Sequence, residues 1–413
     1  MTFGTVGMAH PSLAAMVDAI RAKMSREGLH LRFTASAVSF MQRCVEFVLK
    51  QRVNAMTVID SHLLNHFKRI KIFDSTSWDI DPLLRDVLPG CGGDASSANC
   101  KVQLCYEYLR GALSFFEILP GKKPDSGYAK MLPEHTARGD LLIADLGYFC
   151  LETLMKIINC GAFFVLRFLI GTTLYDAMTM QEIDLRCILQ KVTGAAYQMS
   201  VIMGSKEQTR VSCRLICLRV DEKIAEERRR KLRQNAAKKG RTVSELHLYM
   251  AGWILMVTNV PCEWLPPEMV RPLYGLRWQI ELLFKQLKSV LAIHRSDTGK
   301  EPRLRCEILG KLIVAILIHR IHADANIDLW NTTGQEISMD KLYKRIQERA
   351  FIFMGLLCTS LQKALSFLSE ELSLLMKNCR KLNQKSRPTT LQMLDRNISL
   401  CQSVESIDMS ALT

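Results

Sequence analysis

Three acids in this chain could do chemistry together. Asp74 follows the apolar run "IKIF", Asp145 follows "LLIA", and Glu281 lies within "YGLRWQIELLFKQLKS", residues 274–289. They are 145 − 74 = 71 and 281 − 145 = 136 residues apart, so only folding could gather them. Three carboxylates with no nearby cluster of His or Cys make a hard, oxygen-rich set suited to magnesium or manganese. Two such ions about 3.5–4 Å apart can activate an attacking water or hydroxyl and stabilise the leaving oxygen of an in-line displacement. That is phosphoryl transfer, the chemistry of a nucleic-acid backbone. An Asp after a strand is also an ordinary turn or cap residue, and each aspartate taken alone is more often structural.

The helical stretch adds a second pattern. At about 100° per residue, Tyr274, Arg277, Glu281 and Lys288 fall within one polar stripe, with Trp278 at its margin. Leu276, Ile280, Leu283, Leu287 and Val290 cluster on the far side. Arg277 with Glu281, and Glu281 with Lys285, are also plain i,i+4 pairs. On that helix alone a solvated face is the simpler reading.

A third pattern is charge. The chain of 413 residues carries a formal +14, which points to a polyanionic partner, nucleic acid before an anionic membrane surface. Within "KIAEERRRKLRQNAAKKGR" the segment from Arg228 to Arg241 holds no carboxylate. Arg228, Arg229, Lys231, Arg233, Lys238 and Lys239 could track a phosphate backbone as a group, although such a run is commonly a solvated face. The 14 cysteines show no CxxC pair and no zinc spacing, so reduced thiols in the cytoplasm are expected.

Elements that could position these residues can be read from hydrophobic periodicity. Residues 1–68 read as helical, entered through Pro11-Ser12 and without a signal-peptide pattern. A strand from Ile70 to Phe73 is expected to end at Asp74, followed by a Gly-rich turn at Pro89 to Gly93. "CKVQLCYEYL" and "ALSFFEILPG" predict an antiparallel hairpin around Arg110-Gly111. "DLLIADLGYF" predicts a strand stopping at Asp145, "CLETLMKIINCG" a helix closed by Gly161, and "AFFVLRFL" another strand. If both aspartates end neighbouring strands, they stand where α/β sheets usually bind ligands. Arg167 interrupts the apolar run 157–175, which argues against a membrane span. Residues 308–322 are expected to form a core helix. The stretch 172–262 has its own texture, with strands at "RVSCRLICLRV" and "AGWILMVTNVP" flanking the basic helix, and reads as an insertion. From about residue 384 the tail is polar and expected to be loosely ordered.

The spacing Tyr, two residues, Arg, three residues, Glu, six residues, Lys resembles the signature of the DDE transposases of the insertion sequence 4 family; Tyr274, Arg277, Glu281 and Lys288 match it without a gap. "IFDST" and "LLIADLGYF" resemble that family's first and second aspartate segments, and "ILMVTNVP" its strand returning from an insertion. The resemblance runs from about residue 10 to about residue 330.

It implies an α/β fold: an RNase H-like catalytic core interrupted by a mostly β insertion domain and flanked by helical N- and C-terminal domains. The expected layout is a helical DNA-binding domain at 1–68 and the first part of the core at 69–171. The insertion follows at 172–262, the final core helices at 263–330, and a helical region with a possible dimerisation role at 331–413. Asp74, Asp145 and Glu281 would be catalytic and would hold two Mg2+ or Mn2+ ions. Tyr274, Arg277 and Lys288 would touch phosphates of terminal DNA, with Lys285 as a further contact. In similar transposases that form a hairpin on the excised end, a Trp at the place of Trp278 and one in the insertion hold a flipped base. Trp253 stands one residue out of that pattern, which in a strand means the opposite face, and core packing suits it better. Leu146 replaces a basic residue that many relatives have after the second Asp. The implied function is cut-and-paste transposition, by metal-dependent cleavage and strand transfer at the terminal inverted repeats of an insertion sequence. Its partners would be double-stranded repeat and target DNA and a second copy of the chain, in the bacterial cytoplasm at the nucleoid and with no membrane. A non-catalytic DNA-binding protein derived from a transposase, or a host nuclease of RNase H-like fold, stays open on sequence alone.

Overall fold

The structure, a computed structural model, describes residues 12–20, 23–50, 63–92, 96–205, 209–333 and 335–381. The polar tail expected from residue 384 and the first eleven residues lie outside them. In chain order the regular elements begin with helices α1 (Leu13–Ile20), α2 (Arg26–Leu31) and α3 (Ala35–Lys50). Strands β1 (Arg69–Asp79), β2 (Asn99–Glu107) and β3 (Ala112–Pro120) follow, then α4 (Asp125–Ala129), β4 (Asp140–Ala144), α5 (Leu151–Asn159) and β5 (Phe163–Arg167). The insertion supplies β6 (Leu174–Asp176), α6 (Leu185–Lys191), β7 (Ala196–Met203), β8 (Val211–Arg219), α7 (Glu222–Lys238), α8 (Glu245–Met250) and β9 (Trp253–Thr258). Five helices close the described chain: α9 (Pro267–Tyr274), α10 (Trp278–Ser289), α11 (Glu301–Thr333), α12 (Met339–Thr359) and α13 (Leu361–Asn378). The strands form one mixed sheet in the order β3-β2-β1-β4-β5-β9-β8-β7-β6, and with the helices this is the α/β class expected of an RNase H-like core.

The chain divides into two compact units, with breaks inside β1 after Lys71, after Lys123 and after Arg277. The first unit holds the N-terminal helices, most of β1, the β2–β3 hairpin and helices α10 to α13. Its hairpin pairs antiparallel from Cys100 opposite Pro120 to Glu107 opposite Ala112, with a register shift at Cys105/Tyr106. Gly111 turns the chain at φ +62°, a conformation that costs glycine little and other residues more. Helix α3 buries Val38, Met41 and Val45, a three-then-four spacing that gives one apolar face, and packs it against α11. Residues 308 to 316 of α11 are buried throughout. No described helix is long and apolar enough to cross a membrane.

The second unit holds the start of β1, β4, β5 and the insertion. Strand β4 is buried along its whole length and pairs parallel with β5, Leu141 opposite Phe163. Helix α5 makes the crossover between them and ends at Gly161, φ +73°. Strand β9 pairs antiparallel with β5 on one side and β8 on the other. Beyond the ladder, Asn259 continues the join: its Oδ1 accepts from the Phe164 N–H at 2.8 Å and its Nδ2 donates to the Ala162 carbonyl at 2.9 Å. The insertion therefore does not hang from the core as a separate sheet. Its strands extend the sheet of the second unit through β9.

Two local expectations are corrected. Strand β1 does not stop at Asp74 but continues to Asp79, because Ser75 to Trp78 are all compatible with a pleated strand and bury alternate side chains at Thr76 and Trp78. Asp74 is thus a mid-strand residue. The stretch 274–289 is not one uniform helix either: α9 ends at Tyr274, and a 3₁₀ turn, Gly275–Arg277, precedes α10. Each residue in such a turn advances by about 120° rather than 100°, so a single helical wheel does not carry from Tyr274 to Glu281.

Candidate active site

In the second unit, Asp145 stands directly after β4 at the cap position of a 3₁₀ turn, Leu146–Tyr148, yet its side chain makes no capping hydrogen bond. The structural explanation that would suffice for most aspartates after strands is therefore absent here. Its Oδ1 instead faces the Tyr274 hydroxyl at 3.4 Å, and the same hydroxyl lies 3.4 Å from the Ala144 carbonyl. A phenol has one O–H to donate, so it serves one of these acceptors at a time. Burial pushes the Tyr274 phenol above its ordinary range; Arg277 and Arg167 pull it down, and Asp145 pushes it up. It is a proton donor, not a phenolate. The Arg277 guanidinium sits 5.9 Å from the centre of the Tyr274 ring, near the outer limit of a cation–π contact.

Two further arginines belong to this neighbourhood and escaped the sequence reading. Burial lowers the affinity of the Arg228 guanidinium for its proton, and the charges of Arg167 and Arg271 lower it further. Arg271 is itself held down by burial. Among the described residues none of these three takes part in an ion pair with an acid, and like charges collected without counter-charge suit an anionic ligand. The signal for Arg167 was in the sequence, as the one charge inside an apolar strand. Arg271, one helical turn before Tyr274, had no such mark.

The remaining basic helix separates into two kinds of residue. Arg229 donates to Glu222 and Glu226, both at 2.5 Å, and to the Leu248 carbonyl at 3.1 Å, so it ties α7 to α8. Lys231 pairs with Glu227 at 3.1 Å. Arg233, Lys238 and Lys239 are exposed. Trp253 is 5% exposed, under the Arg219 guanidinium at 4.5 Å, which fits core packing better than stacking on a base.

In the first unit, Asp74 is half-buried on β1 and accepts from the Ser75 N–H at 2.8 Å. Glu281 is half-buried in the first turn of α10. From the last turn of that helix the Lys288 ammonium donates to the Ser77 carbonyl at 3.1 Å, tying α10 to β1 three residues beyond Asp74. Partial burial lowers the Lys288 pKa below the ordinary lysine range. Trp278, 42% exposed, opens α10, and Lys285 is exposed. Among the described residues, no three His, Cys, Asp or Glu side chains are gathered as a group that could hold a metal ion.

Residues 65–317 match the profile of the family described as the transposase DDE domain. The chain belongs to the DDE transposase family. The transposase for insertion sequence element IS231F of Bacillus thuringiensis subsp. israelensis is 31% identical over 389 residues, covering 90% of this transposase and 81% of its relative. The transposase for insertion sequence element IS1151 of Clostridium perfringens is 28% identical over 393 residues, 91% and 82% of the two chains. Among solved structures, a piggyBac transposase in a synaptic complex with hairpin DNA aligns with 78% of this chain and 59% of its own, at a TM-score of 0.38 and 10% identity. DDE transposases are enzymes that act on DNA with divalent metal ions, and this transposase shares that chemistry.

Proposed function

We propose that this transposase cuts and rejoins DNA at the terminal inverted repeats of its own element, by a cut-and-paste route of the insertion sequence 4 type. The observation that carries the reading is the approach of the Tyr274 hydroxyl to Asp145. These two residues lie 129 positions apart, and each was singled out independently, one by the helix signature and the other by its strand. Asp74, Asp145 and Glu281 are the residues that would hold two Mg2+ or Mn2+ ions: all three are half-buried carboxylates, a donor set with the hardness such ions require. Bound there, the ions would supply activation of the attacking oxygen and stabilisation of the leaving one.

The chain's own residues then grip and orient. Tyr274 offers a neutral donor, Arg277 a fork for two phosphate oxygens and Lys288 a point charge. Arg167, Arg228 and Arg271 extend that cationic lining, which favours backbone contacts over base readout. Trp278, exposed at the head of α10, is available to stack on an unpaired base. The N-terminal helices would recognise the repeats and the C-terminal helices would join two copies, with the protein in the bacterial cytoplasm at the nucleoid.

The test is incubation of the full chain with duplex carrying its element's end sequence and Mg2+ or Mn2+. Cleavage at the repeat boundary, lost in Asp145→Asn with DNA binding kept, supports the proposal. Binding without cleavage under any metal concentration would make it a DNA-binding protein only, and cleavage indifferent to the repeat would make it a nuclease.

A further inference from the structure

The signature ends at Lys288, and neither it nor the comparisons account for a buried lysine on the next helix. Lys311 is 1% exposed, within α11. Its ammonium donates to the Ala292 carbonyl at 2.7 Å and lies 3.4 Å from the Arg295 carbonyl. Burial pushes its pKa down to about 8, while Glu307 pulls it back up. A methionine would fill the same space without the charge, so packing alone does not explain the ammonium.

The carbonyls it meets belong to the turn by which the chain leaves α10. There Ala292, itself buried, stands at φ +47°, a conformation that strains a residue other than glycine. Its carbonyl also accepts from the Arg295 N–H at 3.0 Å, so both lone pairs are used. One turn earlier on α11, the buried Glu307 carboxylate accepts from the Ser296 hydroxyl at 2.6 Å and from Arg303 at 2.8 Å. From α12, Gln347 donates to the Val290 carbonyl at 3.3 Å. All of these residues lie in the first unit.

This turn decides how α10 ends. The Gln286 carbonyl accepts from the Val290 and Leu291 N–H groups at 2.9 and 3.2 Å, and the Leu287 carbonyl from the Ile293 N–H at 2.9 Å. Those two carbonyls directly precede Lys288, so the turn that carries it is closed by amides whose path is set at Ala292. Helix ends whose carbonyls lose their partners fray, and an ammonium near the negative end of a helix suits its dipole. Fraying there would release Lys288 from the direction in which it meets the Ser77 carbonyl at 3.1 Å.

We propose that Lys311 is a positioning residue for the grip on DNA: with Glu307 it staples the turn after α10 to α11, which keeps the last turn of α10 wound and Lys288 aimed. Lys311 itself touches no DNA; it acts through Lys288. This rests on the proposed contact of Lys288 with phosphate, and the experiment separates the two.

The full-length protein is compared with Lys311→Met, Lys288→Ala and the double variant, measuring affinity for duplex carrying the element's end sequence as a function of salt, together with Tm. Lys311→Met leaves the Ala292 carbonyl its bond from Arg295, so no carbonyl is orphaned there. Lys288→Ala should reduce the fall in affinity between roughly 50 and 200 mM salt by about threefold, the share of one phosphate contact. Lys311→Met should reduce it in the same direction, and should change nothing further when Lys288 is already Ala, because the two act as one unit. A wild-type salt slope in Lys311→Met, with Lys288→Ala altered, overturns the inference. So does a loss of affinity by the same factor in both backgrounds, which is what a merely structural role would give. A wild-type slope in Lys288→Ala overturns the reading of Lys288, and the inference with it. If Lys311→Met does not fold, Ser296→Ala, which frees the other half of the staple, decides alone, and a wild-type slope in it rejects the proposal.

Discussion

Replacing Tyr274 with Phe removes one oxygen and leaves the ring in place. In the structure that oxygen lies 3.4 Å from both the Asp145 carboxylate and the Ala144 carbonyl, at the long end for an O–H donor. A contact of this kind is worth about 0.5–1 kcal/mol net, or roughly a two- to fivefold change in rate if it only orients Asp145. A phenol that also donates to a phosphate of the bound end meets a charged acceptor, which adds about 1.5–3 kcal/mol. The expected loss in Tyr274→Phe is therefore more than about tenfold, read as the single-turnover rate of end cleavage at saturating protein. Burial keeps the phenol above its ordinary pKa, so it donates through about pH 10. The wild-type and variant rate profiles should share one shape up to that point. A loss of fivefold or less would confine Tyr274 to orienting Asp145; an unchanged rate, or an ionisation seen only in the wild type, would refute the reasoning.

Other outcomes follow from the same geometry. Asp74→Asn, Asp145→Asn and Glu281→Gln should each abolish cleavage in a gel assay while retaining most end binding, since none of them supplies a cation to the DNA. Lys288→Ala should weaken end binding and reduce the slope of log affinity against log salt by about one counterion. Arg167→Ala and Arg271→Ala should each lower DNA affinity and its salt dependence, and should raise Tm in thermal melts because the like-charge repulsion with Arg228 is relieved. Acid stability should report on His319, buried between Tyr106 and Tyr343 with ring centres 5.6 and 6.0 Å away. Burial first, then the nearby His322, pushes its pKa down to about 3. A lowered histidine contributes stability that is complete above its unfolded value of about 6.5 and lost as pH falls from there towards 3. His319→Phe should flatten the pH dependence of urea unfolding across that window by one proton per molecule.

How much was legible before folding varies with the kind of signal. The hairpin at Arg110-Gly111, the buried strand before Asp145 and the helix closed by Gly161 were readable because period, turn residue and length agreed locally. The end of β1 was not, since polar Ser75 to Ser77 look like a turn in isolation and become strand only with neighbours to pair with. The 3₁₀ turn after Tyr274 was hidden for a similar reason: its residues suit an α-helix equally well, and packing chose the tighter geometry. Arg229 and Lys231 looked free in a carboxylate-poor run, but a helix brings residues three, four and seven positions away onto one side, where Glu222, Glu226 and Glu227 wait.

The sequence by itself determined the chemistry available. It supplied the acids at 74, 145 and 281, the spacing of Tyr274, Arg277, Glu281 and Lys288, and the excess of positive charge, because residue type and order carry those directly. Only the tertiary structure decided which groups act on one another. Asp145 meets a phenol 129 positions away, Arg167 shares space with Arg228 and Arg271, and Asp140 pairs with Arg69 and Lys71. Contacts across such separations depend on strand pairing and crossover direction, and these are properties of the whole folded chain, not of any local run of residues.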